Sequence, residues 1–395
     1  MKIVCDTNLP LGRTLFSTLG QVTLADGSRL TPEMVRDADM LMVRDVPLNR
    51  ELLEGSSVRF IGTAVTGTDH VDADWLADAG IRWVHAPRAN GESVADYCIA
   101  ALLEYAHTRH HRLDGATVAL IGVGWIGGMI RRRCEALGMR VLCCDPPRKD
   151  NPRDVEAQVF LPQEAVLAQA DYIIPFVPLT KEGPHPTWHM LNAKTLAGAK
   201  YGAVLINMAR GAVCDTADLI AALREGQLSD AIIDVWEGEP DFSPELADLA
   251  FLATPHLAGH SYEGKVNGTI AVYHAACAYL GKQPAVQPIL PPPVVPTITL
   301  DVAHRPDEEV LWFITQKLSM VVADHLNFLD IVHLPEAQRR RRFAAQRRTY
   351  PYRRQFCATT VYLQHASPTL LAKAAALGFR LPDTPAAQPP RPGLS

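Results

Sequence analysis

The segment 118–145 constrains the chain most tightly. Val118-Ala119-Leu120-Ile121 is an apolar run short enough for a buried parallel strand, and Gly122-Val123-Gly124-Trp125-Ile126-Gly127 follows it directly. A helical pattern then covers 128–137, and a second apolar run, 140–144, stops at Asp145. Strand, glycine turn, helix, strand and acid in this order make a βαβ unit. Gly122 permits its tight turn, Gly124 admits a pyrophosphate close to the backbone, and Gly127 lets helix and strand pack closely. Asp145 lies 21 positions after Gly124, where an acid accepts ribose hydroxyls. The pattern therefore predicts a dinucleotide site. The carboxylate favours NAD over NADP by repelling a 2′-phosphate, a preference that the nearby Arg148 blurs slightly.

Around this unit the chain is long enough, at 395 residues, for two or three domains. A mean hydropathy of +0.00 and a formal net charge of -5 describe a soluble globular protein and argue against general nucleic-acid or membrane-surface binding. The opening Met1-Lys2-Ile3-Val4 enters a strand-like run with no signal-peptide core, and no apolar stretch approaches a membrane span, so a cytoplasmic location is expected. The 8 cysteines show no paired CxxC spacing, which predicts free thiols and no metal site.

Short strand and helix patterns alternate over 1–92 and again over 93–254, the alternation of doubly wound parallel sheets with helices on both faces. Ligands in such sheets collect beyond the carboxyl ends of strands, which singles out Arg44 and Thr66 in the first unit. A helix over 263–279 predicts that 255–282 returns to the first unit, leaving that domain discontinuous and 93–254 as the nucleotide-binding one. Prolines crowd 283–296, a semi-rigid linker. A small α+β domain, 297–381, follows, with helices expected over 307–326, 336–348 and 368–377 and a strand over 359–363. Residues 382–395 are expected to be a disordered tail.

Three strand-end segments of the second unit carry chemistry: Asn207-Met208-Ala209-Arg210-Gly211, Asp234-Val235-Trp236-Glu237-Gly238-Glu239-Pro240 and Thr254-Pro255-His256-Leu257-Ala258-Gly259. Oxidation of a 2-hydroxy acid needs a cation for the carboxylate, a base for the hydroxyl proton and a hydride acceptor. Arg210 offers a planar fork, His256 a base, and Glu239 a partner that orients the ring and stabilises the imidazolium.

These segments, with the fingerprint and Asp145, resemble the D-isomer-specific 2-hydroxyacid dehydrogenase family, whose motifs carry Arg, Glu and His in this order. The resemblance implies two doubly wound domains, flavodoxin-like for substrate and Rossmann for NAD, with Arg210, Glu239 and His256 catalytic. Within the family, GTAVTGTDHV (62–71), CDPPR (144–148), DVWEGEP (234–240) and the arginine-tyrosine segment 341–356 resemble the branch with an extra C-terminal dimerisation domain. That branch implies NAD-dependent oxidation of 4-phospho-D-erythronate to 3-hydroxy-2-oxo-4-phosphooxybutanoate in vitamin B6 synthesis, by a homodimer. It also implies that Asp145, Asp234 and Gly259 contact NAD, and that the positions of Arg44, Asp45, Thr66 and His260 serve substrate. The alternatives are another small 2-hydroxy acid, or a non-catalytic NAD-sensing protein. Two positions depart from the family: Asp45 replaces a serine and His260 a tyrosine. A carboxylate about 4 Å from a phosphate costs roughly 1 to 4 kcal/mol per unit charge. The arginines of 339–354 read as a solvated helix face pairing with acids at the dimer interface, or as a source of one phosphate contact.

Overall fold

The computed structural model describes residues 1–351 and 353–382. The stretch expected to be a disordered tail lies, from residue 383 on, outside the described residues. The chain divides into two compact units, one built from Met1–Gly91 and His260–Pro292, the other from Glu92–Gly259 and the segment beginning at Pro293.

The first unit is a five-stranded parallel sheet in the order β2-β1-β3-β4-β5, with strands β1 (Lys2–Asp6), β2 (Gln21–Ala25), β3 (Met40–Val43), β4 (Phe60–Thr63) and β5 (Arg82–His85). Side-chain alternation along each strand makes two cores. Ile3, Cys5, Met40, Met42 and Phe60 face one side, where helix Tyr262–Tyr279 packs with Val272 and Tyr273. Val4, Leu41, Val43 and Ile61 face the other, against Val35, Leu53 and Leu76. Ser261 caps the long helix by accepting from the Gly264 N–H at 3.0 Å.

The second unit holds a six-stranded sheet in the order β11-β10-β9-β8-β6-β7. Its strands are β6 (Thr117–Ile121), β7 (Arg140–Cys144), β8 (Tyr172–Pro175), β9 (Ala203–Asn207), β10 (Leu228–Ile233) and β11 (Leu252–Ala253), all paired in parallel. Beyond β7 the outer position of the dinucleotide fold is reduced to one backbone bond, Leu161 N–H to the Cys143 carbonyl at 2.8 Å. The reversal of strand order falls at β6, directly below the glycine turn, as ligand binding in such sheets requires.

The segment from Pro293 groups with this second unit. Among its described residues it carries a parallel two-stranded ladder, β12 (Thr297–Asp301) with β13 (Thr360–Gln364), and four α-helices. The helix expected over 307–326 is two helices, Asp307–Leu318 and Val321–Val332, separated where Ser319 is extended (φ -87°, ψ 158°). The break has a packing reason. Val310, Leu311 and Ile314 enter the core on one face of the large sheet, whereas Phe328, Ile331 and Val332 enter the core on the other. A single straight helix cannot supply both.

Candidate active site

The glycine turn has the geometry that a pyrophosphate needs. Gly122 adopts φ +87°, and a Cβ there would lie 2.5 Å from the Phe176 carbonyl oxygen. A Cβ on Gly127 would lie 2.1 Å from the Gly122 oxygen, so only glycine lets the helix sit on the turn, while one on Gly124 would project into open space. Helix Trp125–Ala136 starts at Gly124 with no side-chain cap and no acid in its first turn, leaving its positive end available to phosphate. Asp145 ends β7; its Oδ2 accepts from Val123 N–H at 2.8 Å and its Oδ1 from Arg148 N–H at 3.1 Å. Arg148 itself is engaged by Asp154 (2.6 Å) and Glu156 (2.8 Å) and donates to the Val123 carbonyl at 2.9 Å. Its charge is therefore balanced locally by these two acids.

The three residues that the sequence marks as catalytic candidates follow the carboxyl ends of β9, β10 and β11. Asn207 folds the first loop: its Nδ2 donates to the Arg210 carbonyl and its Oδ1 accepts from Ala209 N–H, each at 3.1 Å. Gly211 then presses this loop against the next, since a Cβ there would fall 1.9 Å from the Trp236 carbonyl carbon. In the second and third loops Glu239 Oε1 meets His256 Nδ1 at 2.6 Å, and Trp236 Nε1 donates to the Thr254 carbonyl at 2.9 Å. Burial pushes the Glu239 carboxyl up, but the His256 imidazole, Arg347 and the Trp236 N–H together outweigh it and hold the group below its ordinary range. Glu239 is therefore a carboxylate, an acceptor for a proton on His256 Nδ1, which leaves Nε2 as the ring's acceptor.

His256 sits in the left-handed region at φ 59°, a conformation that a non-glycine residue keeps only when its surroundings impose it. Asp234 imposes it. This aspartate is fully buried; its Oδ1 accepts from Thr254 Oγ1 and Leu257 N–H, both at 2.6 Å, and its Oδ2 from Ala258 N–H at 2.9 Å. The resemblance gave Asp234 to NAD. In the structure the carboxylate first serves the His256 loop, and only Oδ2 keeps acceptor capacity for a ligand. Gly259 closes this held segment and is half-buried.

The C-terminal segment holds the same loops from the other side. Arg353, buried, donates from Nη2 to the Ala258 carbonyl at 2.6 Å, and its guanidinium lies 4.7 Å from the Tyr97 ring centroid. Asp324 accepts from the Tyr350 hydroxyl at 2.7 Å and the Tyr97 hydroxyl at 2.9 Å. Burial pushes its carboxyl up to about 6 despite these bonds and the Arg353 charge. His325 Nδ1 accepts from Ala253 N–H at 3.0 Å, one residue before Thr254. On the Glu239 loop, Arg340 pairs with Asp241 at 3.1 Å, and Phe242 lies 4.6 Å from Phe328 and 5.8 Å from Phe343, ring centre to ring centre.

The other residues that the sequence singled out belong to the first unit. Arg44 follows β3 and is buried, while Asp45 is exposed. Thr66 is half-buried with its hydroxyl donated to Asn90 Oδ1 at 2.7 Å. His260 begins the return segment and is buried. Three residues that hold the loops of the second unit went unread in the sequence: Gly211, Asp324 and Arg353. In the first unit Lys265 also went unread, though it had left a signal, a cation on the apolar stripe of helix Tyr262–Tyr279.

Residues 93–258 match the family described as D-isomer specific 2-hydroxyacid dehydrogenase, NAD binding domain. The chain is 37% identical over 384 residues to an erythronate-4-phosphate dehydrogenase of Stutzerimonas stutzeri (strain A1501), which spans 96% of this chain and 100% of the relative. It is 39% identical over 385 residues to that of Pseudomonas savastanoi pv. phaseolicola (strain 1448A / Race 6), spanning 96% and 99%. Among solved structures, the TT0316 protein from Thermus thermophilus is similar at a TM-score of 0.61 and 28% identity, over 72% of this chain and 99% of that one. Similarity along nearly the whole length, together with the built glycine turn and the Glu239–His256 pair, establishes that the chain belongs to the erythronate-4-phosphate dehydrogenase family of NAD-dependent D-isomer-specific 2-hydroxyacid dehydrogenases.

Proposed function

We propose that this chain oxidises the 2-hydroxyl of 4-phospho-D-erythronate to 3-hydroxy-2-oxo-4-phosphooxybutanoate, a step of vitamin B6 synthesis. The observation that carries the reading is the 2.6 Å contact between His256 Nδ1 and Glu239 Oε1, in a chain similar from end to end to relatives of that name. Arg210 offers its fork to the substrate carboxylate and the developing carbonyl oxygen. His256 Nε2 takes the hydroxyl proton, and Glu239 holds and stabilises the imidazolium that results. Gly122, Gly124, Gly127 and Asp145 would hold NAD, which when bound supplies the hydride acceptor.

The test is NADH formation from NAD with 4-phosphoerythronate beside erythronate and 3-phosphoglycerate, with a 2-oxo acid present to turn over retained NADH. A clear preference for 4-phosphoerythronate is expected; preference for another acid would move the enzyme to that substrate. His256→Ala should lower turnover at least about a hundredfold while NADH still binds. An unchanged rate would remove His256 from the chemistry.

We further infer a cytoplasmic homodimer. All eight cysteines are free thiols, as in a reducing compartment, and no helix among the described residues is long and apolar enough to cross a membrane. Val322 and Leu326, one helical turn apart in the C-terminal segment, are 37% and 57% exposed, an apolar stripe suited to a second copy. Leu326→Glu should shift the protein toward monomer in sedimentation; an unaltered dimer would place the interface elsewhere.

A further inference from the structure

Helix Tyr262–Tyr279 runs against the end of β4 closely enough that its glycines decide the path. A Cβ on Gly62 would lie 2.9 Å from Val272 Cβ, and one on Gly268 would lie 2.4 Å from the Ala64 carbonyl oxygen. As the strand advances from Gly62 to Ala64, the helix contacts step back from Val272 to Gly268. The next residue back on the same face is Lys265, one turn beyond, which places it past the carboxyl end of the strand. Arg44 leaves the adjacent strand at the same level: Val43 pairs with Thr63, and the Thr63 hydroxyl donates to the Arg44 carbonyl.

Lys265 and Arg44 are 8% and 9% exposed. The Lys265 ammonium has no hydrogen-bond or ion-pair partner among the described residues. Burial and the Arg44 charge push it down to about 8, with Asp45 alone acting in the other direction. A largely buried lysine within electrostatic reach of the Arg44 charge is costly to keep protonated, and a bound dianion relieves that cost. A phosphate monoester carries about -1.5 to -2 at neutral pH and presents three acceptor oxygens; a carboxylate carries one charge.

We propose that Lys265, together with Arg44, forms the subsite that takes the phosphate monoester of the substrate. This rests on the reading of the substrate as 4-phosphoerythronate. Lys265 donates to the phosphate oxygens, and Asp45 stands at the exposed edge of the same cluster.

The experiment compares the wild type, Lys265→Gln and Lys265→Arg on 4-phosphoerythronate and on erythronate, and measures inorganic phosphate binding to each by calorimetry. For Lys265→Gln the KM for 4-phosphoerythronate should rise about 10- to 100-fold, with erythronate kinetics unchanged and phosphate binding weakened in parallel. Lys265→Arg, which keeps the charge, should recover part of the loss. Equal changes on both substrates, or phosphate binding as tight as in the wild type, would overturn the proposal. A wild type inactive on 4-phosphoerythronate would instead sink the functional reading, while phosphate binding lost in Lys265→Gln would still support the subsite.

Discussion

The His256 loop and the Lys265 cluster treat buried polar groups in opposite ways. Around His256, the Leu257 and Ala258 amides are bound by Asp234 and the Ala258 carbonyl by Arg353. The protein supplies every partner in advance, and the loop keeps a left-handed histidine that it would otherwise release. Around Lys265, a largely buried lysine has no partner for its ammonium among the described residues and lies within reach of the Arg44 charge. A region that must position a base is finished before substrate arrives; a region that must recognise an anion keeps a donor unsatisfied until then. Preorganisation in the first is stability used for geometry, and the unmet donor in the second is stability withheld for binding.

The sharpest way to break this contrast is at Arg353. If the C-terminal segment positions His256, Arg353→Ala should lower kcat by about 10- to 100-fold, comparable to misplacing a reacting group by an ångström, with KM for the acid little altered. Arg353→Lys keeps the charge but loses the fork, so it should recover part of kcat. The pH profile separates positioning from simple loss of folded protein. Disturbing the Glu239–His256 pair moves the limb of the profile that the pair controls, whereas a smaller active fraction scales the profile without moving it. An unmoved profile in both variants would reduce Arg353 to a packing residue.

The same contrast explains what could be read from the sequence. The glycine turn, Asp145 and the three strand-end residues were legible because each rests on local chemistry at a fixed offset: positive φ at Gly122, close approach at Gly127, and a side chain delivered by a strand end. The C-terminal clamp was not. Arg353 lies 95 positions from Ala258 and Asp324 lies 227 from Tyr97, and nothing local marks a buried arginine in an arginine-rich stretch. The division of 307–326 into two helices was hidden for a related reason, because periodicity records that a face is apolar but not which of two cores it enters. Asp234 was legible as a motif position, yet its work for the His256 loop depends on backbone amides that carry no sequence signature.

At Lys265 the prediction concerns stability and runs against intuition. The ammonium titrates near 10.5 in the unfolded chain and at about 8 in the folded one. Between these values the unfolded state holds more protons, so wild-type stability rises with pH from about 8 to 10.5. Below that window the charged lysine costs on the order of 3 kcal/mol. Lys265→Met should therefore stabilise the ligand-free protein by about that amount at neutral pH, a rise in Tm of several degrees, and the advantage should fade as pH approaches 10.5. Thermal melts in phosphate-free buffer across that range decide it. A destabilised Lys265→Met at neutral pH would mean that the ammonium has a partner and that the two regions do not differ.

The smallest effect is expected at Asp45, where two influences oppose one another. Its carboxylate repels a phosphate in the cluster, and it also supports the charge on Lys265. Because Asp45 is exposed, solvent reduces the repulsion to the order of 1 kcal/mol, near the lower end of the range for a carboxylate beside a phosphate. Asp45→Ser should tighten inorganic phosphate binding by about fivefold at low salt, and by less as ionic strength rises, since exposed charges are screened within about 10 Å at 0.1 M. The gain should also shrink as pH approaches 8, because without Asp45 the Lys265 ammonium gives up its proton more readily. Weaker phosphate binding in Asp45→Ser would reverse the order of the two influences. The carboxylate would then act chiefly to keep Lys265 charged, and the departure at this position would be part of the subsite rather than a defect in it.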